Sequence, residues 1–132
     1  MFKKMVVCVT EATSSEVIKI ASKLSTKKTE VYLLHVVRVL NEFARKKSEE
    51  LFSPFLKFLK KNHINAKLEL VESVDPKKAI VTFAKKNMCD VIISGTIPRK
   101  GLVGYLSESV TDYLVRNAPC TVILVRKPQE PR

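Results

Sequence analysis

Short apolar runs alternate along the chain with segments in which apolar side chains recur every three or four residues. Most of the runs are continuously apolar and rich in β-branched residues, which is typical of strands buried on both faces of a sheet. One run alternates between apolar and polar positions, which predicts an edge strand with one face in water; it covers residues 66–71. The predicted strands are residues 5–9, 31–37, 66–71, 90–94 and 121–125.

The segments between the strands carry helical patterns with recognisable starts. Thr13 and Glu16 stand at the spacing of a capping box, in which Thr13 caps the helix and Glu16 reaches back to it. Asp75 and Pro76 predict a second start, with the aspartate as the cap and the proline at the first helical position. Residues from about 40 to 62 also read as helical, and Pro54 either kinks one long helix or begins a second one.

Strands that alternate with helices predict an α/β fold. Continuously apolar strands joined by helical crossovers form a parallel sheet covered on both faces, which here gives a three-layer sandwich around five strands. The chain has 132 residues, which suits one domain. We place that domain at residues 1–127 and expect the short tail, residues 128–132, to be disordered.

Parallel sheets of this kind bind ligands beyond the carboxyl ends of their strands, at the point where the strand order reverses. That rule selects three parts of the chain as candidate binding segments. They are Thr10-Glu11-Ala12 after the first strand, the region around His35-Val36 in the second, and residues 95–109 after the fourth.

Charge is the unusual bulk property of the sequence. Lysine and arginine number 24 against 13 acidic residues, a formal net charge of +11. The basic residues are scattered over nearly every predicted element, whereas a nucleic-acid-binding surface usually concentrates them on one face. We therefore interpret the charge as a lysine-rich soluble surface, with nonspecific nucleic-acid binding as an alternative that predicts affinity lost in high salt.

Other features limit the class of protein. No apolar run approaches the ~20 residues that cross a bilayer, so we expect a cytoplasmic protein without a membrane partner. The three cysteines are far apart and lack a CxxC pair, which predicts structural thiols rather than disulfides. His35 lies within an apolar strand and is expected to be a hydrogen-bonded core residue, and His63 is expected to be exposed. No metal-ligand spacing, Walker motif or dinucleotide fingerprint is present, so no enzyme is predicted.

Four parts of the chain, residues 33–37, 90–96, 109–110 and 118–125, together resemble the universal stress protein family. The resemblance implies the adenine-nucleotide alpha-hydrolase-like fold, with the five parallel strands in the order 3-2-1-4-5. It also implies a homodimer formed through the last strand, Thr121–Val125. The order and spacing of the predicted elements agree with the family over nearly the whole chain.

The ATP-binding branch of this family has a phosphate loop of glycine, two residues, glycine, nine residues, glycine, and serine or threonine. Gly95 matches the first glycine and Ser109 the final hydroxyl, but Pro98 and Glu108 replace the other two glycines. Proline removes an N–H donor. A like charge ~4–5 Å from a phosphate costs on the order of 3–4 kcal/mol at an effective dielectric of about 20. Thr10 stands where the family has a nucleotide-contacting aspartate.

The resemblance therefore implies a pocket for a nucleotide or another anion with a degenerate phosphate loop, in which Arg99 offers a compensating positive charge. The candidate residues are Thr10, Val36, Ser94, Gly95, Thr96, Arg99, Ser107, Ser109 and Val110. We interpret the chain as a dimeric binding or regulatory module in the stress response, with weak or absent ATP binding and no required cofactor. An ATP- or AMP-binding switch is the alternative.

Overall fold

The structure, a computed structural model, describes residues 1–96 and 110–126. The predicted tail and most of the predicted phosphate loop lie outside these residues. The elements are β1 (Lys4–Cys8), α1 (Ser15–Lys23), β2 (Glu30–Val37), α2 (Glu42–Lys61), β3 (Asn65–Glu72), α3 (Pro76–Lys86), β4 (Val91–Thr96), a helical segment over 110–117 that we call α4, and β5 (Thr121–Arg126).

The five strands form one parallel sheet in the order β3-β2-β1-β4-β5, which confirms the predicted fold class. β1 is the central strand, and its Val6 pairs with Tyr32 on one side and with Ile92 on the other. β3 is an edge strand, as its alternating pattern predicts, and β5 forms the other edge.

Apolar side chains cover both faces of the sheet. On one face, Phe52 and Leu59 of α2 join the buried side chains of α1 in one hydrophobic cluster. On the other face, Ile80 and Ala84 of α3 join Leu114 of α4 in a second cluster. The central strands contribute to both clusters, which explains why their sequences are continuously apolar and confirms the three-layer arrangement.

The segment around Pro54 forms one helix rather than two. α2 runs unbroken over 20 residues with Pro54 inside it. Its first turn is capped by Asn41, whose side-chain oxygen accepts a hydrogen bond from the Ala44 N–H at 2.8 Å. The described residues include no helix long and apolar enough to cross a membrane.

The capping-box prediction for α1 is wrong. The N-cap is Ser14, and its side chain makes no capping hydrogen bond. The Thr13 hydroxyl oxygen instead accepts a hydrogen bond from the Thr10 N–H at 2.8 Å. Thr13 is therefore used to close the turn that precedes α1, because this local bond competes with helix capping.

Candidate functional site

A cavity of about 370 Å³ opens at the carboxyl ends of β1, β2 and β4. The turn after β1 and the first residues of α1 and α3 complete its wall together with parts of α4 and β5. This is the edge at which the general rule for parallel sheets places ligands. Its described lining consists of Cys8, Val9, Thr10, Ala12, Thr13, Ser14, Val17, Leu34, Val36, Pro76, Ile80, Ser94, Gly95, Thr96, Val110 and Val125.

The cavity brings together six of the nine candidate residues predicted from the sequence. They are Thr10, Val36, Ser94, Gly95, Thr96 and Val110. The remaining three, Arg99, Ser107 and Ser109, lie outside the described residues, as do Pro98 and Glu108. Sequence reasoning did not predict that Val17, Ile80 and Val125 line the cavity, because an apolar residue in a helix or strand indicates only that it is buried.

Two hydroxyl groups fix the turn between β1 and α1. The Thr10 hydroxyl oxygen accepts a hydrogen bond from the Ala12 N–H at 3.1 Å. The Thr10 N–H in turn donates to the Thr13 hydroxyl oxygen. Each hydroxyl keeps its own hydrogen for a further partner, so this wall of the cavity is rigid and still able to donate hydrogen bonds.

Gly95 lies inside β4 rather than in the loop that the sequence predicts. It pairs with Val125 of β5, and Thr96 pairs with Arg126. A Cβ atom at position 95 would stand 3.1 Å from the Val17 Cγ2 atom. Glycine therefore allows α1 to approach the end of β4 closely, which shapes the cavity wall.

The mouth of the cavity on the α3 side depends on a capped helix start. The side chain of Asp75 accepts a hydrogen bond from the Lys78 N–H at 3.5 Å, and Pro76 follows at the first helical turn. This confirms the predicted start of α3. The cap places Pro76 and Ile80 against the ends of β1 and β2, where both line the cavity.

Two hydroxyls of the lining have unused bonding capacity among the described contacts. The Ser14 side chain does not cap α1. Among the described residues, the Thr96 Oγ1 atom is buried without a hydrogen-bond partner. A buried polar atom left in this state costs about 1–3 kcal/mol.

The described lining contains no charged side chain, and its one thiol is inert. Burial raises the pKa of the Cys8 thiol to about 12. At neutral pH this thiol is almost wholly protonated, and the protonated form is a poor nucleophile and a poor metal ligand. No group of three or more histidine, cysteine or acidic side chains in residues 1–96 and 110–126 is arranged to hold a metal ion.

His35 stabilises the end of β1, next to the cavity. Its Nδ1 atom lies 2.8 Å from the Val9 carbonyl oxygen. A carbonyl oxygen only accepts, so Nδ1 carries the proton and donates it. The imidazole ring also meets the Phe52 ring edge-on, with 4.9 Å between centroids. The half-buried His35 thus ties the end of β1 to α2, in agreement with the predicted hydrogen-bonded role, and His63 is exposed as predicted.

Comparison with known proteins gives a consistent result. The sequence model of the universal stress protein family matches residues 1–126. A universal stress protein of Methanocaldococcus jannaschii is 30% identical, over 76% of this chain and 67% of that protein.

Solved structures share the fold. The universal stress protein from Archaeoglobus fulgidus in complex with dAMP has a TM-score of 0.74 and 20% identity, covering 92% of this chain and 96% of that one. A universal stress protein family protein from Arabidopsis thaliana with AMP bound has a TM-score of 0.68 and 20% identity, covering 96% and 92%. The family match over nearly the whole chain and the shared strand order lead to one conclusion: this chain belongs to the universal stress protein family.

Proposed function

We propose that this chain is a cytoplasmic, non-catalytic binding module that holds an adenine mononucleotide in the cavity at the carboxyl edge of its sheet. ATP binds weakly or not at all in this proposal, and the nucleotide acts as a regulatory ligand in the stress response. The observation that carries the proposal is a small, mainly apolar cavity with unpaired hydroxyls, at the ligand-binding edge of a universal stress protein fold.

The size and lining of the cavity suit a nucleoside. Ligand pockets span roughly 300–1,000 Å³, so a cavity of about 370 Å³ lies near the lower limit. Leu34, Val36 and Ile80 offer apolar surface for a flat base. The hydroxyls of Thr10, Thr13 and Ser14 offer hydrogen bonds to a sugar or to the base edge. Two proteins of the same fold carry dAMP and AMP, which supports a ligand of this kind here.

The preference for one phosphate over three rests on the sequence after β4. Pro98 and Glu108 replace two glycines of the family's phosphate loop. The proline withholds an N–H donor, and the glutamate repels each added negative charge. Arg99 and Lys100, in the same loop, supply two positive charges, which match the charge of a monophosphate more closely than that of a triphosphate.

Two further observations support a binding role without catalysis. The only thiol of the described lining, Cys8, has a raised pKa, and no histidine or carboxylate stands among the described lining residues to act as a base.

The proposed cytoplasmic location rests on the three cysteines, which are widely spaced in the sequence and are free thiols, as suits a reducing compartment.

Calorimetric titration with AMP, and with ATP plus magnesium, tests this proposal. We expect saturable heat with AMP and a markedly weaker response with ATP. Magnesium-dependent binding of ATP that is tighter than that of AMP would contradict the proposed preference. No heat with either ligand, at millimolar concentration and on folded protein, would contradict nucleotide binding itself.

Restoring the phosphate loop should change the ligand preference. In the double variant Pro98→Gly, Glu108→Gly we expect ATP affinity to rise on the order of tenfold or more, because a donor returns and a repulsive charge leaves. The same calorimetric titration measures the gain. AMP affinity serves as the internal control and should change less. An unchanged ATP affinity would mean that Thr10 or the shape of the loop, rather than these two residues, limits triphosphate binding.

We also propose that the chain forms a homodimer through β5. β5 is an edge strand, so one row of its backbone N–H and C=O groups has no partner within the sheet. Leu124 of this strand is 39% exposed, and Val115 of α4 is also exposed. Exposed apolar side chains beside an open strand edge are typical of a surface that a second copy covers.

A charge on the β5 surface should separate the two copies. We expect the wild-type chain to elute at twice the monomer mass in size exclusion with light scattering, and the Leu124→Glu variant to elute as a monomer. Leu51→Glu is the matched control, since Leu51 is 41% exposed and lies on α2, away from β5. A monomeric wild type, or a dimer that survives Leu124→Glu, would contradict the proposed interface.

A further inference from the structure

The outward face of α2 carries an unusual line of exposed apolar side chains. Phe43 is 75% exposed, Leu51 is 41% exposed and Phe58 is 37% exposed. With 100° between successive residues, all three lie within an arc of about 80°. The buried residues Phe52 and Leu59 are centred about 130° away around the same helix. α2 is therefore apolar on two faces, and only one of them is used by the core.

Lysines are interleaved with these apolar residues. Lys47 and Lys61 are exposed and lie within the same arc, and Lys46 and Lys57 lie beside it. Glu50 is the one acidic residue among them. The face thus combines a row of apolar side chains with a local excess of positive charge, on a chain whose net charge is +11.

We propose that the outer face of α2 docks onto an anionic lipid bilayer surface. Phe43, Leu51 and Phe58 enter the headgroup layer, while Lys47 and Lys61 stay at the level of the phosphates. The apolar residues span about 22 Å along a single helix, so they reach a flat surface together. This is peripheral contact, and it departs from our sequence-based expectation of no membrane partner.

The spacing of the residues favours this occupant over three others. A partner helix needs apolar contacts about every 3.5 residues, but here lysines occupy two of the six positions at that spacing, Lys47 and Lys61. Single-stranded nucleic acid stacks successive bases on neighbouring rings, whereas Phe43 and Phe58 are separated by about 22 Å and Leu51 cannot stack. A second copy would bring two faces with the same excess of positive charge together.

Vesicle sedimentation tests the proposal. The probe is a vesicle of equal parts phosphatidylserine and phosphatidylcholine, compared with one of phosphatidylcholine alone, at low salt. We expect the wild-type chain to bind the anionic vesicle only. The triple variant Phe43→Ser, Leu51→Ser, Phe58→Ser should bind at least about tenfold more weakly. The control variant Val39→Ser, Val74→Ser, Met88→Ser removes three exposed apolar side chains elsewhere and should bind as the wild type does.

A matched pair of charge variants separates a local surface from overall charge. Lys47→Gln, Lys61→Gln should weaken vesicle binding on the order of tenfold. Lys23→Gln, Lys86→Gln removes the same charge from exposed positions on α1 and α3 and should weaken it much less. Circular dichroism confirms that every variant is folded.

Three results would overturn the proposal. The first is a wild-type chain that ignores anionic vesicles at low salt. The second is equal weakening by both charge variants together with no effect of the serine variant, which would assign the binding to net charge alone. The third is tighter binding of single-stranded poly(dT) than of vesicles, lost in the serine variant, which would assign the face to nucleic acid.

Discussion

Replacing Phe52 by alanine is expected to destabilise the fold by about 3–5 kcal/mol, the usual cost of deleting a buried phenyl ring. Phe52 is 1% exposed and is among the largest fully buried side chains. Its ring contacts His35 edge-on and stacks near Phe55, with centroids 6.3 Å apart. The change therefore leaves a cavity under the sheet and removes the packing that holds His35 against the end of β1.

Urea denaturation measures this loss, and α2 supplies a matched control. Phe43→Ala deletes the same ring on the same helix, but Phe43 is largely exposed, so its free energy of unfolding should stay within about 0.5 kcal/mol of the wild type. Equal effects of the two substitutions would contradict the packing described for α2. Since small domains have only about 5–15 kcal/mol of stability, Phe52→Ala is expected to leave a marginal fold.

Filling the cavity from its mouth is expected to lower AMP affinity on the order of 100-fold. Ala12 lines the cavity but is itself exposed, in the turn between β1 and α1. An indole at this position, in the variant Ala12→Trp, occupies the space that we assign to the nucleotide. The backbone N–H of residue 12 remains, so its hydrogen bond to the Thr10 hydroxyl is kept.

Calorimetry with AMP measures the loss, and Lys28→Trp provides the control. Lys28 is exposed in the turn before β2, at the opposite edge of the sheet, so a tryptophan there should leave AMP affinity unchanged. If Ala12→Trp binds AMP as tightly as the wild type while remaining folded, the nucleotide does not occupy this cavity.

The sequence predicts the architecture because each strand has a plain signature. Continuous apolar runs identify the buried strands, and the alternation in β3 identifies an edge. The Asp75-Pro76 start of α3 is also confirmed, because an aspartate cap followed by proline has few other uses. Pro54 shows the limit of such signals, because its effect depends on whether the surrounding packing holds the helix together.

The site is harder to predict than the fold. The rule for parallel sheets selects Thr10 and Gly95, and both line the cavity because both positions depend only on where a strand ends. Thr13 is misassigned because the same hydroxyl satisfies either a helix start or a turn. Ile80 and Val125 reach the cavity through tertiary packing, which leaves no trace in a single sequence beyond an apolar pattern.

The outer face of α2 was also hidden from the sequence reasoning. Phe43 and Phe52 both contribute to the apolar pattern of α2, yet Phe43 lies on the side opposite Phe52 and is exposed. Apolar residues around most of a helix predict burial, and only the structure shows which of them the core does not use.

Nuclear magnetic resonance titration with AMP tests the central claim most directly, because it locates the ligand residue by residue. The account predicts that the backbone amide signals of Thr10, Thr13 and Gly95 shift in a saturable way while those of Lys47 and Lys61 do not. Signals at the cavity that stay still at saturating AMP, or shifts confined to α2, would contradict it.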